Sequence, residues 1–411
     1  MISNPKSCSI VLSVTLIGLT ACGGDGGTSP ARLQQPAGYA YVASAAAPNA
    51  QALGTVFQYS IDSKGSLTPL STVSVAAGSN PTAMISDPTG HFIYVLNQGD
   101  TTISQYSVGT GGVLSALSPA TVSLAGTLMF SASASLSVNP RGGSLYIVTN
   151  PDNALAPIET SIAQYAIRSD GTLSPLNPSV INFANTASGA LAFDPSGAYA
   201  YLASPPPVGE TVVPLKGEVF QFSVAANGEL TLIASSTVVG SPSSIHVAQS
   251  GQTAYVLSPC EDSSCDGLIV EYAVGENGTL TPTGTTTSTP SHVAPISLLT
   301  NTSDSAAYLL TNLNGVDTTA AAVYQYTIKS AGVLVPGTPS SVNMSSGAAL
   351  TQAVLGPNLY ALISNNQVVS SAMTGAHIDH YSIGSDGLLT PVSTTSVTAG
   401  NPTAMVTVAI P

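Results

Sequence analysis

Three kinds of side chain in this sequence have the types and spacing to do chemistry. The first is the pair bracketing Cys260-Glu-Asp-Ser-Ser-Cys265. In an oxidising compartment two thiols this close in one loop are expected to close a small disulfide. A metal site built from Cys260, Cys265, Asp262 and Asp266 is the alternative, but it lacks a neighbouring His and a second Cys pair. Calcium at Asp262 and Asp266 lacks the D-x-D-x-D-G pattern. No metal and no cofactor is expected.

The second kind is the acid–base group. Opening an uncharged ester requires a base to activate water and a donor to hold the developing oxyanion. His246, His292, His377, Glu218 and Lys216 are the candidates. None belongs to a recognisable catalytic motif, and each His also has a plain reading as a hydrogen-bonded structural residue. Neither G-x-S-x-G nor a Walker loop occurs, so serine-nucleophile and nucleotide chemistry are unsupported.

The third is Cys22. Lys6 supplies a positive start, residues 10–19 a short apolar stretch, and Leu19-Thr20-Ala21-Cys22 a cleavage-site tetrapeptide. The apolar stretch is too short to span a bilayer. The tetrapeptide resembles the bacterial lipobox, whose Cys is lipidated. The expectation is a lipoprotein signal at 1–21, then lipidated Cys22 and a flexible tether to residue 38. That places the protein in the cell envelope, anchored to a membrane through lipid. An ordinary secretory signal with a free Cys22 is the alternative.

The elements that must position these groups are read from composition and repetition. Of the 411 residues 44% are hydrophobic and only 7% charged, which excludes a disordered acidic chain. Short alternating apolar runs between Gly and Pro indicate strands and turns. With seven Lys+Arg against 20 Asp+Glu and no basic cluster, nucleic acid is not an expected partner.

A short strand recurs with its Tyr at 41, 94, 146, 201, 255, 308 and 360, in units starting near 39, 92, 144, 199, 253, 306 and 359. A second strand follows, with its aromatic residue at Tyr59, Tyr106, Tyr165, Phe222, Tyr272, Tyr326 and Tyr381. Six positions after each comes a Gly, and two further on a Leu. That spacing describes a strand, a tight turn with Gly at positive φ, and a strand pairing back with its Leu toward the core. Each unit ends on an apolar segment such as PTAMISDPTG. Four strands per unit and seven units make an all-β, seven-bladed β-propeller over 39–411, expected as a monomer with a core distributed along the array.

The chain ends on NPTAMVTVAIP, an inner strand without its unit, whereas the first unit lacks one. The C-terminal strand is therefore expected to complete blade one and close the ring through about four pairing residues on each side.

The phrases D-P-x-G-x-x-x-Y-V (87–95, with Leu202 ending the copy at 194–202), x-Q-Y-S-(I/V) and G-x-L-T-P (65–69, 278–282, 387–391, with Ser174 in the copy at 171–175) resemble the lactonase family of seven-bladed propellers. That family includes bacterial 6-phosphogluconolactonases and fungal carboxymuconate cyclases. These are scaffold phrases; they imply the fold and leave the reaction open.

In such a ring the long loops at 44–54, 151–160, 204–217, 258–267, 312–322 and 364–376 share one face, where function usually accumulates. Lys64, Arg141, Arg168 and Lys329 fall in turns of the opposite face, which leaves Lys216 alone on the long-loop face. A phosphate group asks for a bidentate Arg or several donors, so a phosphorylated substrate is disfavoured. Two functions remain: an anchored propeller binding a small molecule or envelope protein through the long-loop face, or a hydrolase opening an unphosphorylated sugar lactone or related cyclic ester.

Overall fold

The computed structural model describes residues 35–46, 53–124, 134–149, 159–184, 191–206, 216–259, 266–290, 293–313, 322–344, 349–364, 376–397 and 401–410. Cys22, Cys260, Cys265 and His292 lie outside the described residues, as do the greater parts of the six long loops.

The described strands form seven four-stranded antiparallel sheets, each ordered inner, second, third, outer as the chain runs. Blade one departs from that rule in the expected way. Its inner strand is Asn401–Ala409 from the C-terminus, laid against Gly38–Ala45. The pairing runs through eight residue pairs, from Gly38 opposite Ala409 to Ala45 opposite Asn401. The closure is thus about twice as long as the apolar motif alone suggested, because pairing continues past PTAM into Val406-Thr-Val-Ala.

Period-two alternation in the second strands decides where the core lies. In Gly38–Ala45, Ala40 and Val42 face blade seven, joining Tyr360, Leu362 and Ile378. Tyr39, Tyr41 and Ala43 face blade two, joining Ile93, Val95 and Tyr106. The same division repeats around the ring, so seven apolar clusters occupy the seven seams between blades. A strand buried on both faces cannot alternate apolar with polar residues, which is why these read as YAYVAS or TAYVLS.

Two repeated residues bolt the seams. The Tyr of each second strand donates its hydroxyl to the carbonyl of the turn Gly in the next blade, Tyr41 to Gly112 and onward to Tyr360 to Gly65, at 2.5–2.9 Å. All seven turn glycines have positive φ, between 76° and 91°. Close approach forbids a side chain there as well: a Cβ on Gly171 would lie 2.1 Å from the Phe92 ring. The second bolt is the Gln of the third strand, which reaches the backbone of the next blade.

Candidate functional site

Inner strands line the axis, so their composition limits what a central channel can do. Pro81–Ser86, Ala134–Val138, Leu191–Phe193, Ser244–Val247, Val293–Thr300, Ala349–Leu355 and Asn401–Ala409 contain no Asp, Glu, Lys or Arg. The one ionisable side chain among them is His246. Its Nε2 lies 3.0 Å from Thr300 Oγ1, on the inner strand of blade six. Burial pushes its pKa down to about 4, against a smaller opposing pull from Asp304. His246 is therefore a neutral group engaged across a seam.

The other candidates sit where third strands leave the long-loop face. Lys216 opens the strand Lys216–Val224 and is exposed; Glu218, half-buried, stands opposite Ser204 and Thr237. His377 opens the corresponding strand of blade seven, His377–Ile383. Glu218 and His377 are thus homologous by position but belong to blades four and seven, and His246 belongs to blade five. The structure does not bring these three together on one element.

It places a different partner beside His377. Asp379, two residues on and pointing to the same side, is 4% exposed. The imidazole Nε2 lies 3.7 Å from Asp379 Oδ1. The same oxygen accepts a 2.9 Å hydrogen bond from the Thr394 hydroxyl of the neighbouring outer strand. Tyr381 Oη is 3.5 Å from Asp379 Oδ2 and 3.5 Å from the Asn343 carbonyl of blade six. Proximity to Asp379, after burial, raises the Tyr381 pKa, so the phenol keeps its proton.

Asp379 was not among the residues singled out from sequence, although a signal existed. Two positions before the aromatic residue of the third strand, the other six blades carry Phe57, Ser104, Ala163, Phe220, Val270 and Tyr324. A carboxylate in that column breaks the pattern. The His377–Asp379 pair is the one carboxylate–imidazole contact recorded among the described residues.

The lactonase family model, described as "Lactonase, 7-bladed beta-propeller", matches residues 49–204. The chain is a seven-bladed β-propeller that is similar to the lactonase family over that stretch. Among solved structures, a candidate 6-phosphogluconolactonase from Bacteroides fragilis aligns with TM-score 0.65 at 17% identity, over 90% of this chain and 98% of that one. The periplasmic gluconolactonase of Pseudomonas aeruginosa aligns with TM-score 0.62 at 17% identity, over 91% of this chain and all of that one. No curated protein matches the sequence significantly. At such identities these structural likenesses speak for the fold, and the reaction must be argued from the propeller's own side chains.

Proposed function

We propose that this propeller is a hydrolase that opens an unphosphorylated sugar lactone or a related cyclic ester. The observation carrying the reading is the His377–Asp379 pair, a buried carboxylate with an imidazole beside it at the long-loop end of blade seven. Water adds to the lactone carbonyl carbon while the pair accepts its proton. The tetrahedral intermediate then expels the ring oxygen, which takes that proton back to give an open-chain hydroxy acid. The match of residues 49–204 to the lactonase family model supports this reaction class. Lys64, Arg141, Arg168 and Lys329 occupy turn segments on the opposite face, which argues against a phosphate-bearing substrate.

The setting we propose is the cell envelope, with the chain held at a membrane by lipid on Cys22 and the Cys260–Cys265 loop closed by a disulfide. Cys22→Ala should move the protein to the soluble fraction; retention of the variant on membranes would overturn anchoring.

The test of the main reading is hydrolysis of glucono-1,5-lactone against its 6-phosphate, followed by proton release above the spontaneous rate. Asp379→Asn and His377→Ala should each lower kcat/KM by about 10²-fold or more. A second reading, ligand or partner binding without catalysis, is favoured by the charge-free inner strands. It becomes the better account if no neutral lactone is turned over.

A further inference from the structure

A propeller's axis is the usual place to look for its ligand, yet here the inner strands offer one neutral, engaged histidine and no charge. One open volume beside Asp87, at the ends of the inner strands, meets a carboxylate already engaged by the N–H groups of its own turn; another lies off the axis. A pocket of about 340 Å³ lies between the end of blade six's outer strand, Leu334–Asn343, and the third and outer strands of blade seven. That is at the lower end of the range for small-molecule sites.

The column that holds Phe57, Ser104, Ala163, Phe220, Val270 and Tyr324 in the other blades holds a carboxylate here, and that carboxylate, Asp379, lines the pocket. Asp379 and the hydroxyls of Thr394 and Tyr381 supply polar contacts, while Met344 and the half-exposed Val392 supply apolar wall. A sugar lactone matches that division: ring hydroxyls donate to a carboxylate and exchange hydrogen bonds with hydroxyls, and the C–H face of the ring rests on aliphatic side chains.

We infer that the sugar lactone binds in this off-axis pocket between blades six and seven, with Asp379 as the catalytic group that faces the attacking water and His377 as the positioning residue behind it. The inference rests on the lactone-hydrolysis reading and adds the site to it. Nothing in the pocket is cationic, in keeping with an uncharged substrate.

The test separates site from reaction. The protein is labelled with ¹³C at its methionine methyls and titrated with gluconolactam, which mimics the lactone and resists hydrolysis. The Met344 resonance should shift, while those of Met84 and Met405, buried where blades one and two meet their neighbours, should not. Val392→Trp, a change at an exposed outer-strand position, should abolish that shift and raise KM for glucono-1,5-lactone at least tenfold. Asp379→Asn should lower kcat more than it raises KM.

Turnover that persists in Val392→Trp with a parental KM, or a lactam that moves Met84 or Met405 and leaves Met344 unmoved, would overturn the off-axis site while leaving the hydrolase reading intact. A shift at Met344 with no turnover of any neutral lactone would overturn Asp379 as the catalytic group and the hydrolase reading with it, keeping the pocket as a binding site.

Discussion

Five seams of this ring are built one way and two another. In the five, a third-strand Gln works in both directions. Gln58, Gln105, Gln164, Gln221 and Gln325 accept the backbone N–H of the next blade's Leu at 2.5–2.9 Å. Their amide nitrogens donate to their own outer strand, at Thr72, Pro119, Pro178, Ser236 and Pro339. At the seam from blade five to six the position is Glu271, and from blade seven to one it is His380. Glu271 is buried, its Oε1 lying 3.0 Å from where a Cβ on Gly332 would be. His380 is also buried; its Nδ1 meets Ser393 Oγ at 3.3 Å, and its Nε2 has no hydrogen-bond partner. An amide is donor and acceptor at every pH, whereas a carboxyl or imidazole has that pair of abilities in one protonation state only. The two exceptional seams are thus the ones whose bonding depends on proton concentration.

The largest expected effect tests whether the seams alone can hold the ring. Deleting 401–411 removes eight strand pairs, strips the inner strand from blade one and uncovers Ala404, Met405, Val406 and Val408 contacts on both sides. An exposed edge with an apolar face invites aggregation. The truncated protein should be insoluble or degraded on expression. A soluble monomer melting within a few degrees of the parent would mean that blade one is complete without its terminal strand.

A smaller effect sharpens the comparison at the closing seam. Tyr94→Phe and Tyr360→Phe each leave a buried Gly carbonyl without its donor, at a cost of about 1–3 kcal/mol. Beside Tyr94 the Gln105 bond to Leu173 remains. Beside Tyr360 the corresponding group is His380, stacked on the Tyr ring at 5.0 Å between centroids. Tyr360→Phe should therefore lower the denaturant midpoint more than Tyr94→Phe. Equal losses would show that the Gln bond adds little.

The fold was legible because its determinants repeat. Seven Tyr, seven turn Gly and seven Leu report one geometry each, and the terminal NPTAM motif reports closure by the same logic. Where a determinant is supplied in trans, the local pattern fails. Asp87 accepts the N–H groups of Thr89 and Phe92 within its own turn, and Asp194 does the same for Ser196 and Tyr199. Blade five has Ala248 at that place, and Asp304 of blade six reaches across to accept from Gln249 and Ser250 at 2.9 and 2.6 Å. The candidate site was half legible for a related reason. His377 stood out as an isolated titratable residue, but Asp379 gains meaning only when the third strands are stacked column against column and its neighbours prove to be rings and small side chains. His246 had the opposite fate: its residue type suggested chemistry, and its environment gives it a neutral, seam-spanning bond.

The finest test of the comparison restores the common bolt at both exceptional seams and asks for opposite pH dependence. Burial holds the His380 pKa below the ordinary imidazole value, opposed by the charge of Asp62 across the seam; the Tyr360 ring, the Ser393 hydroxyl and the Asn358 amide are its other neighbours. Between about pH 6.5 and that lower value the unfolded chain binds more protons than the folded one, so the parent loses stability as pH falls through this window. Burial raises the Glu271 pKa above the ordinary carboxylate value, and the neighbouring Tyr255 phenol, its own pKa raised, stays neutral. Between about pH 4.5 and that higher value the folded chain binds more protons, so the parent loses stability as pH rises. His380→Gln should then gain about 1 kcal/mol, and gain most at acid pH; Glu271→Gln should gain a similar amount, and gain most at neutral pH and above. Urea unfolding at about pH 4 and about pH 8 reads the difference directly. If both variants gained equally at both pH values, the seams would differ in shape alone, and the protonation account of the two exceptions would have to be given up.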